Sequence, residues 1–428
     1  MRVAFYTLGC KVNQYESQIL KQNFSQAGFD IAEGGNGLDV YVINSCTVTA
    51  ESDRKTRQLI HRIRRGNPEA VIALTGCMPQ AFPEESGLLE DVQVVTGAYK
   101  RAGLVAAVQK AIGTGERVID ISRHTRGESF EQMRANAFEG RTRAFVKIQD
   151  GCERYCSYCI IPAARGGFRS KPLEEVRGEA AGLAGRGFAE IVLVGINLSC
   201  YGLERGLSLA DAVEAVCNTE GVERVRLSSL EPEMLSPENI KKLSGFPAFC
   251  PQFHLSLQSG SDSVLKRMNR HYTRLEYLEI VNNIRKVFNN SSITTDIMVG
   301  FPGETEQEFR ETIEFAREAG FAKIHVFPYS RRKGTLADAM PGQLERKEKA
   351  ERSRRLIQVA GEERLKFLRG QIGRTCRVLI ENVKEGEGFG YSENYSPVKI
   401  TGLDAGFAGK ISEILINGIE NGVCLGKI

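Results

Sequence analysis

No apolar run in this chain approaches the roughly 18 to 20 residues that a membrane-spanning helix requires, and the amino terminus enters a strand pattern, RVAFYT, at once in place of a signal peptide. A soluble, cytoplasmic protein is expected, with no membrane partner. Histidine is scarce, five in 428 residues. His61, His124, His254, His271 and His325 are scattered, which reads as packed or surface side chains and not as catalytic bases. An excess of one charge is missing too. The net charge of +4 is too small to mark a nucleic-acid binder by itself. With 42% hydrophobic and 26% charged residues the composition is that of an ordinary globular protein, and the length allows two to four domains with sizeable cores.

Cysteine is what the chain has. Eleven cysteines, an odd number without secretory features, argue for reduced thiols used as ligands and against a disulfide framework. Six of them form two sets of three. Cys152, Cys156 and Cys159 lie within GCERYCSYC, while Cys10, Cys46 and Cys77 each end a strand-like run: VAFYTLGC, DVYVINSC and AVIALTGC. The spacings of 36 and 31 residues are close to one βα unit each. In an open parallel sheet the residues just past the strands' carboxyl ends face a common crevice, so these three are expected to meet. Each set falls one ligand short of the four that a 4Fe-4S cluster takes from protein, which leaves one iron open for chemistry. A structural zinc site would want four ligands in paired C-x2-C spacing, and no fourth Cys or His lies near. Cys200, Cys217, Cys250, Cys376 and Cys424 read as small buried apolar side chains.

The chain is α/β with three expected domains. Residues 1–111 alternate strand and helix as a small open parallel α/β sheet, and 112–140 read as a partly extended linker. In 141–370 the strand-like runs EIVLVGIN, RVRLSSL, FHLSLQSG, TTDIMVG and KIHVFPYS alternate with helices for about six βα units. That length suits a partial α/β barrel with ligands at the carboxyl ends of its strands. The domain closes on a long charged helix at 343–370 whose candidate apolar positions are Leu344, Leu356, Ile357, Val359, Leu365 and Leu368. Residues 371–428 are short alternating strands with glycine turns, which predicts a small β-barrel. Two basic clusters, RKTRQLIHRIRR at 54–65 and Arg331, Arg332 and Lys333, suit a polyanion; the competing reading is a solvated helix face.

CxxxCxxC with Tyr158 before the last cysteine closely resembles the radical S-adenosylmethionine superfamily. The resemblance implies that the cofactor's amino and carboxylate groups chelate the open iron. It also implies cofactor contacts at Gly195 and Asn197 in VLVGIN on the methionine side, at Gln258, Ser259 and Gly260 in HLSLQSGS on the ribose side, and at Asp296 and Gly300 in TDIMVGFPGET beside the adenine. The competing reading for the glycines is a role in their loops alone.

Over nearly its whole length the chain resembles the methylthiotransferases, which join a three-cysteine amino-terminal domain, a radical S-adenosylmethionine core and a carboxyl-terminal TRAM barrel. YTLGCKVNQYES and FVKIQDGCERYCSYCIIPAARG look most like the MtaB-type branch. That likeness implies transfer of a methylthio group to C2 of N6-threonylcarbamoyladenosine at position 37, in the anticodon loop of tRNA. It implies two 4Fe-4S clusters, one making a radical from S-adenosylmethionine and one presenting sulfur, with an electron donor and a sulfur source as partners. Arg57, Arg64, Arg331 and Arg332 would then touch phosphates, and Tyr391 and Tyr395 would stack bases, unless those rings fill the small barrel. Targets in other branches are isopentenyladenosine in tRNA and a ribosomal-protein aspartate. A reading from another class is an iron-sulfur RNA-binding sensor without turnover.

Overall fold

The computed structural model describes residues 1–138 and 140–428; residue 139, inside the expected linker, lies outside the described residues. The amino-terminal sheet is parallel and six-stranded, in the order β2-β1-β3-β4-β5-β6. Its strands are β1 (Arg2–Thr7), β2 (Asp30–Ala32), β3 (Val40–Ser45), β4 (Val71–Gly76), β5 (Val94–Thr96) and β6 (Val118–Asp120). Helices cover both faces, so β3, VYVINS, is buried at every residue, as a central parallel strand must be. The strand order reverses between β1 and β3, the place where such sheets take ligands. β6 carries this sheet beyond residue 111 into the segment read as linker.

Next come β7 (Arg143–Lys147) and a short ribbon of β8 (Gln149–Asp150) with β9 (Arg169–Ser170). They are followed by β10 (Glu190–Val194), β11 (Arg224–Leu227), its continuation β12 (Ser229–Leu230), β13 (Gln252–Leu255), β14 (Ser292–Val299) and β15 (Lys323–Pro328). β7, β10 and β11 pair in parallel, as do β12, β13, β14 and β15, and a bridge between Val225 and Phe249 joins the two stretches. The result is the partial barrel of six rungs that the alternation of runs predicted. Its outer faces share one apolar core, to which the amino-terminal helix Lys11–Gln26 contributes Val12, Tyr15 and Ile19. The trailing helix Arg346–Arg369 buries Leu356, Val359 and Leu368 and leaves Ile357 and Leu365 exposed.

The carboxyl-terminal module is a closed barrel in the order β16-β17-β18-β20-β19. Its strands are β16 (Thr375–Lys384), β17 (Glu387–Ser392), β18 (Pro397–Thr401), β19 (Ile411–Glu420) and β20 (Val423–Lys427). A Cβ at Gly390 would lie 2.1 Å from the Leu379 carbonyl oxygen, so β16 and β17 can cross there only at glycine. The 392–396 loop docks against the amino-terminal end of the α/β barrel. Arg226 donates to the Ser392 and Glu393 carbonyls at 2.7 Å each, and Arg224 donates to the Tyr391 carbonyl at 3.1 Å. Behind them the single buried carboxylate of Glu190 faces Arg226 at 2.9 Å, Arg224 at 3.4 Å and Arg143 at 3.6 Å.

Glu190→Gln would leave the buried Arg224 and Arg226 with no carboxylate partner and Arg143 with Glu381 alone. The expected cost is about 3 to 5 kcal/mol of unfolding free energy, read as a lower urea midpoint.

Candidate functional site

Cys10 and Cys46 follow the adjacent strands β1 and β3, and Cys77 follows β4, so the three expected partners lie side by side on the carboxyl edge of one sheet. Backbone crowding shows how tightly their loops are drawn together. Gly9 has φ +117°, and a Cβ there would sit 2.7 Å from the Cys46 Cβ. Gly76, with φ +98°, would put a Cβ 2.5 Å from the Asn44 Oδ1. Asn13 ties the loops by donating to the Leu8 carbonyl at 2.9 Å and the Ser45 carbonyl at 3.0 Å. Cys46 and Cys77 are buried, and Cys10 is exposed.

The second triad occupies the loop between β8 and the helix Ile161–Arg165. Gly151 (φ +74°) begins it, where a Cβ would lie 1.9 Å from the Gly167 carbonyl oxygen. Cys152 N–H donates to the Gly166 carbonyl at 3.0 Å, and Ser157 binds the 267–268 backbone through both its N–H and its hydroxyl. Cys156 is buried, while Cys152 and Cys159 are partly exposed.

Each triad is met by one buried guanidinium and one side-chain amide. Arg165 Nε donates to Cys77 Sγ at 3.2 Å, and Arg270 Nη1 to Cys156 Sγ at 3.3 Å. Asn13 Oδ1 lies 3.6 Å from Cys10 Sγ, and Asn197 Nδ2 3.8 Å from Cys152 Sγ. Burial pushes the Cys77 and Cys159 thiols up to about 12, against the pull of Arg165 at Cys77. Burial also raises Cys46 and Cys152. Such thiols become thiolates when a metal takes the proton's place. The three-ligand count and the donors aimed at sulfur from Arg165, Arg270 and Asn197 fit an iron-sulfur cluster.

The cleft beside Cys152 also fits a cofactor with a charged amino group, because the buried Asn197 Oδ1 has no hydrogen-bond partner. Gln258 adopts φ +73°, a strained conformation for a residue with a side chain. Its N–H donates to the Asp296 carbonyl at 2.9 Å. Tyr158 packs against the cluster of Val264, Met268 and Phe301, close to Arg270. Gly195 lies where a Cβ would crowd Leu198 and Gln149.

Three expected contacts have other partners. Ser259 is fully buried, with its hydroxyl 3.3 Å from that of Thr312. At Gly260 a Cβ would meet the Thr312 Cα and the Phe315 Cβ at 2.8 Å each, so this glycine admits a helix. At Gly300 (φ +71°) a Cβ would lie 2.2 Å from Lys349 of the trailing helix. Asp296 sits on a strand face that alternates out of the core. There it joins His254, 3.3 Å away, and His325, with ligand atoms all within 4.8 Å. The scatter of these histidines in sequence therefore ends in a cluster on neighbouring strands.

Between the two triads lies a buried charge network. Glu16 is bound by Arg165 (2.5 Å), Lys147 (2.7 Å) and Arg101 (3.0 Å). Asp150 is bound by Lys147 (2.7 Å) and Arg169 (3.1 Å). Burial alone would raise the Glu16 carboxyl; Arg101, Arg165 and Lys147 overcome it and hold the group at about 2. Asn13, Glu16 and Arg165 stand within six residues of a ligand cysteine, a proximity that is the one signal the sequence holds for them. Arg270 has no local signal at all, being 111 residues beyond Cys159.

The basic clusters converge. Arg332 is buried and donates to Asp53 and Thr47 at 2.7 Å each, stapling the loop after β15 onto the helix Ala50–Gly66. Glu85 faces both Arg57 and Lys333 at 3.4 Å. Arg54, Lys55, Arg57, Arg331 and Lys333 thus form one exposed basic surface. Arg64 binds carbonyls of 68, 70 and 91. Tyr391 and Tyr395 stack on each other at 4.5 Å, with Arg143 5.1 Å from each ring. Tyr395 remains 37% exposed.

Residues 146–316 match the Radical SAM superfamily, and residues 2–97 match the Uncharacterized protein family UPF0004. The Threonylcarbamoyladenosine tRNA methylthiotransferase MtaB of Bacillus subtilis is 38% identical over 97% of this chain and 93% of its own length. The chain belongs to the radical S-adenosylmethionine methylthiotransferase family. The MtaB of Aquifex aeolicus is also 38% identical, over 97% of this chain and all of its own. A tRNA-2-methylthio-N(6)-dimethylallyladenosine synthase of Pelotomaculum thermopropionicum is 34% identical, over 96% of this chain and 94% of its own. Among solved structures, a radical S-adenosylmethionine methyltransferase from Kitasatospora setae shares the fold with a TM-score of 0.54 at 15% identity, covering 79% of this chain and 77% of that one. The family's cofactors are S-adenosylmethionine and two 4Fe-4S clusters, which the two triads fit. No helix among the described residues is long and apolar enough to cross a membrane.

Glu16→Gln should cost about 3 kcal/mol at neutral pH. Because the native carboxyl is held low, the stability gap between wild type and variant should be constant above pH 5 and shrink as pH falls from about 4.5 toward 2. Urea unfolding at several pH values reads it.

Proposed function

We propose that this protein transfers a methylthio group to C2 of N6-threonylcarbamoyladenosine at position 37 of tRNA. The observation that carries the reading is the pair of three-cysteine sites, one on each α/β domain, joined through the single buried side chain of Arg165. The relatives named for threonylcarbamoyladenosine, at 33 to 38% identity, support this base, and those named for the dimethylallyl compound, at 33 to 35%, supply the second reading.

Cys152, Cys156 and Cys159 would hold the radical-forming cluster, and Cys10, Cys46 and Cys77 the auxiliary one. Once bound, the clusters and S-adenosylmethionine supply one-electron cleavage to a carbon radical at the first site and an acceptor sulfur at the second. The chain's own residues orient and screen. Asn197 offers its free Oδ1 to an ammonium group, and Arg270, pinned by Glu231 at 2.5 Å, donates to the Cys156 sulfur. Arg165 fixes the Cys77 sulfur relative to the radical loop, so the sites keep one separation and orientation. The surface of Arg54, Lys55, Arg57, Arg331 and Lys333 would take RNA phosphates. Arg64 and Arg332 would support it from behind, since their guanidiniums are spent on protein partners. An external electron donor and sulfur source complete the reaction.

Mass spectrometry of tRNA nucleosides from cells lacking this protein should show loss of the 2-methylthio form of threonylcarbamoyladenosine; its persistence would refute the reading. In purified enzyme, Cys156→Ala should abolish 5′-deoxyadenosine release. Cys46→Ala should keep cofactor cleavage and lose thiolated product, and equal loss of both would contradict two separate roles. Arg54→Glu with Lys333→Glu should weaken tRNA binding and flatten its log–log salt dependence by about 2.

A further inference from the structure

Side chains of β13, β14 and β15 alternate across the barrel wall. Phe253 and Leu255 of β13, Ile293, Ile297 and Val299 of β14, and Ile324 of β15 belong to the apolar core on the outer face. His254, Asp296 and His325 hold intervening positions, so all three stand on the inner face. Register brings them level, because Asp296 pairs with His325 and His254 pairs with Thr294, two residues before Asp296 on the same face.

The ligand atoms of these three partly buried side chains all lie within 4.8 Å of one another. His254 Nε2 is 3.3 Å from Asp296 Oδ2, and the two imidazole centroids are 5.9 Å apart. A zinc ion with bonds of about 2.0 to 2.1 Å holds neighbouring tetrahedral ligands about 3.3 Å apart. The edge between His254 and Asp296 already has that length.

A second observation comes from the far side of the His254 ring. Its Nδ1 lies 2.9 Å from the Thr294 hydroxyl oxygen, and that hydroxyl donates to the Phe253 carbonyl at 3.4 Å. The hydroxyl therefore accepts from Nδ1–H, which leaves the lone pair on Nε2. That lone pair faces a carboxylate oxygen, and two acceptors so close call for a cation between them. A shared proton serves this one pair, whereas a metal ion serves all three groups. Donation from the other ring nitrogen is also how proteins orient a metal-binding imidazole.

We propose that His254, Asp296 and His325 form a binding site for a divalent first-row transition ion, separate from the two cysteine triads. Two imidazoles and one carboxylate suit zinc or ferrous iron and leave a position open to water or to an oxygen of a molecule bound inside the barrel. The site offers nitrogen and oxygen where the triads offer sulfur, so an ion held here is distinguishable from one held by thiolates.

Tag-free, reconstituted holoenzyme would be dialysed anaerobically against zinc and its metals counted, with X-ray absorption at the zinc edge reading the zinc ligands apart from the iron. About one zinc per chain should bind without loss of iron, with nitrogen and oxygen neighbours at about 2.0 to 2.1 Å and the outer-shell scattering of imidazole. His254→Ala and His325→Ala should each lose this ion. Thr294→Val keeps all three ligands and removes the hydroxyl that holds His254; it should weaken zinc binding about ten- to a hundredfold. A wild type that takes up zinc only in exchange for iron, or whose zinc has sulfur neighbours at about 2.3 Å, overturns the proposal without reference to any variant. Zinc retained by both histidine variants overturns it as well, because the ion then lies elsewhere.

Discussion

Arg165 stands six residues past the last cysteine of the radical loop, fully buried, with its guanidinium spread over Cys77, Asn13 and Glu16 of the other domain. Burying an unpaired charge costs several kcal/mol, and the chain offsets this with Glu16 and Asp150 set among Arg101, Lys147 and Arg169. The network does more than hold two domains together. It ties the two cysteine triads together through Arg165, and Lys147–Glu16 and Arg332–Asp53 cross the same domain boundary. For chemistry that must pass a group between two centres, a fixed separation removes most of the orientational cost.

A second consequence concerns the carboxyl-terminal barrel, which is fixed to the amino-terminal end of the partial barrel where the carbonyls of 391–393 accept from Arg224 and Arg226. The helix Lys11–Gln26 packs against β7 of the same barrel. Tyr391 and Tyr395 turn their ring faces to each other and to Arg143, and the solvent-facing positive charge gathers on the helix Ala50–Gly66 and the loop after β15.

The order of elements, the barrel and both cysteine triads were legible because each is written in local periodicity: apolar runs of strand length, helical spacing between them, and a cysteine at each strand end. A glycine that admits a ligand and one that admits a helix look alike in sequence; Gly260 and Gly300 each stand against a helix. Charge had the same ambiguity. The triplet Arg331, Arg332 and Lys333 reads as one basic patch, yet its middle member is buried on Asp53 while its neighbours face solvent.

Which residues could ligate metal, and on which edge of which sheet they would stand, followed from the chain's own pattern, because parallel strands leave little choice about where their carboxyl ends point. The pattern was silent about Arg165, Arg270 and the pairing of His254 with His325. Those depend on how helices and loops distant in sequence pack across a barrel seam. A long side chain can reach any of several partners until packing and the cost of desolvation leave it one.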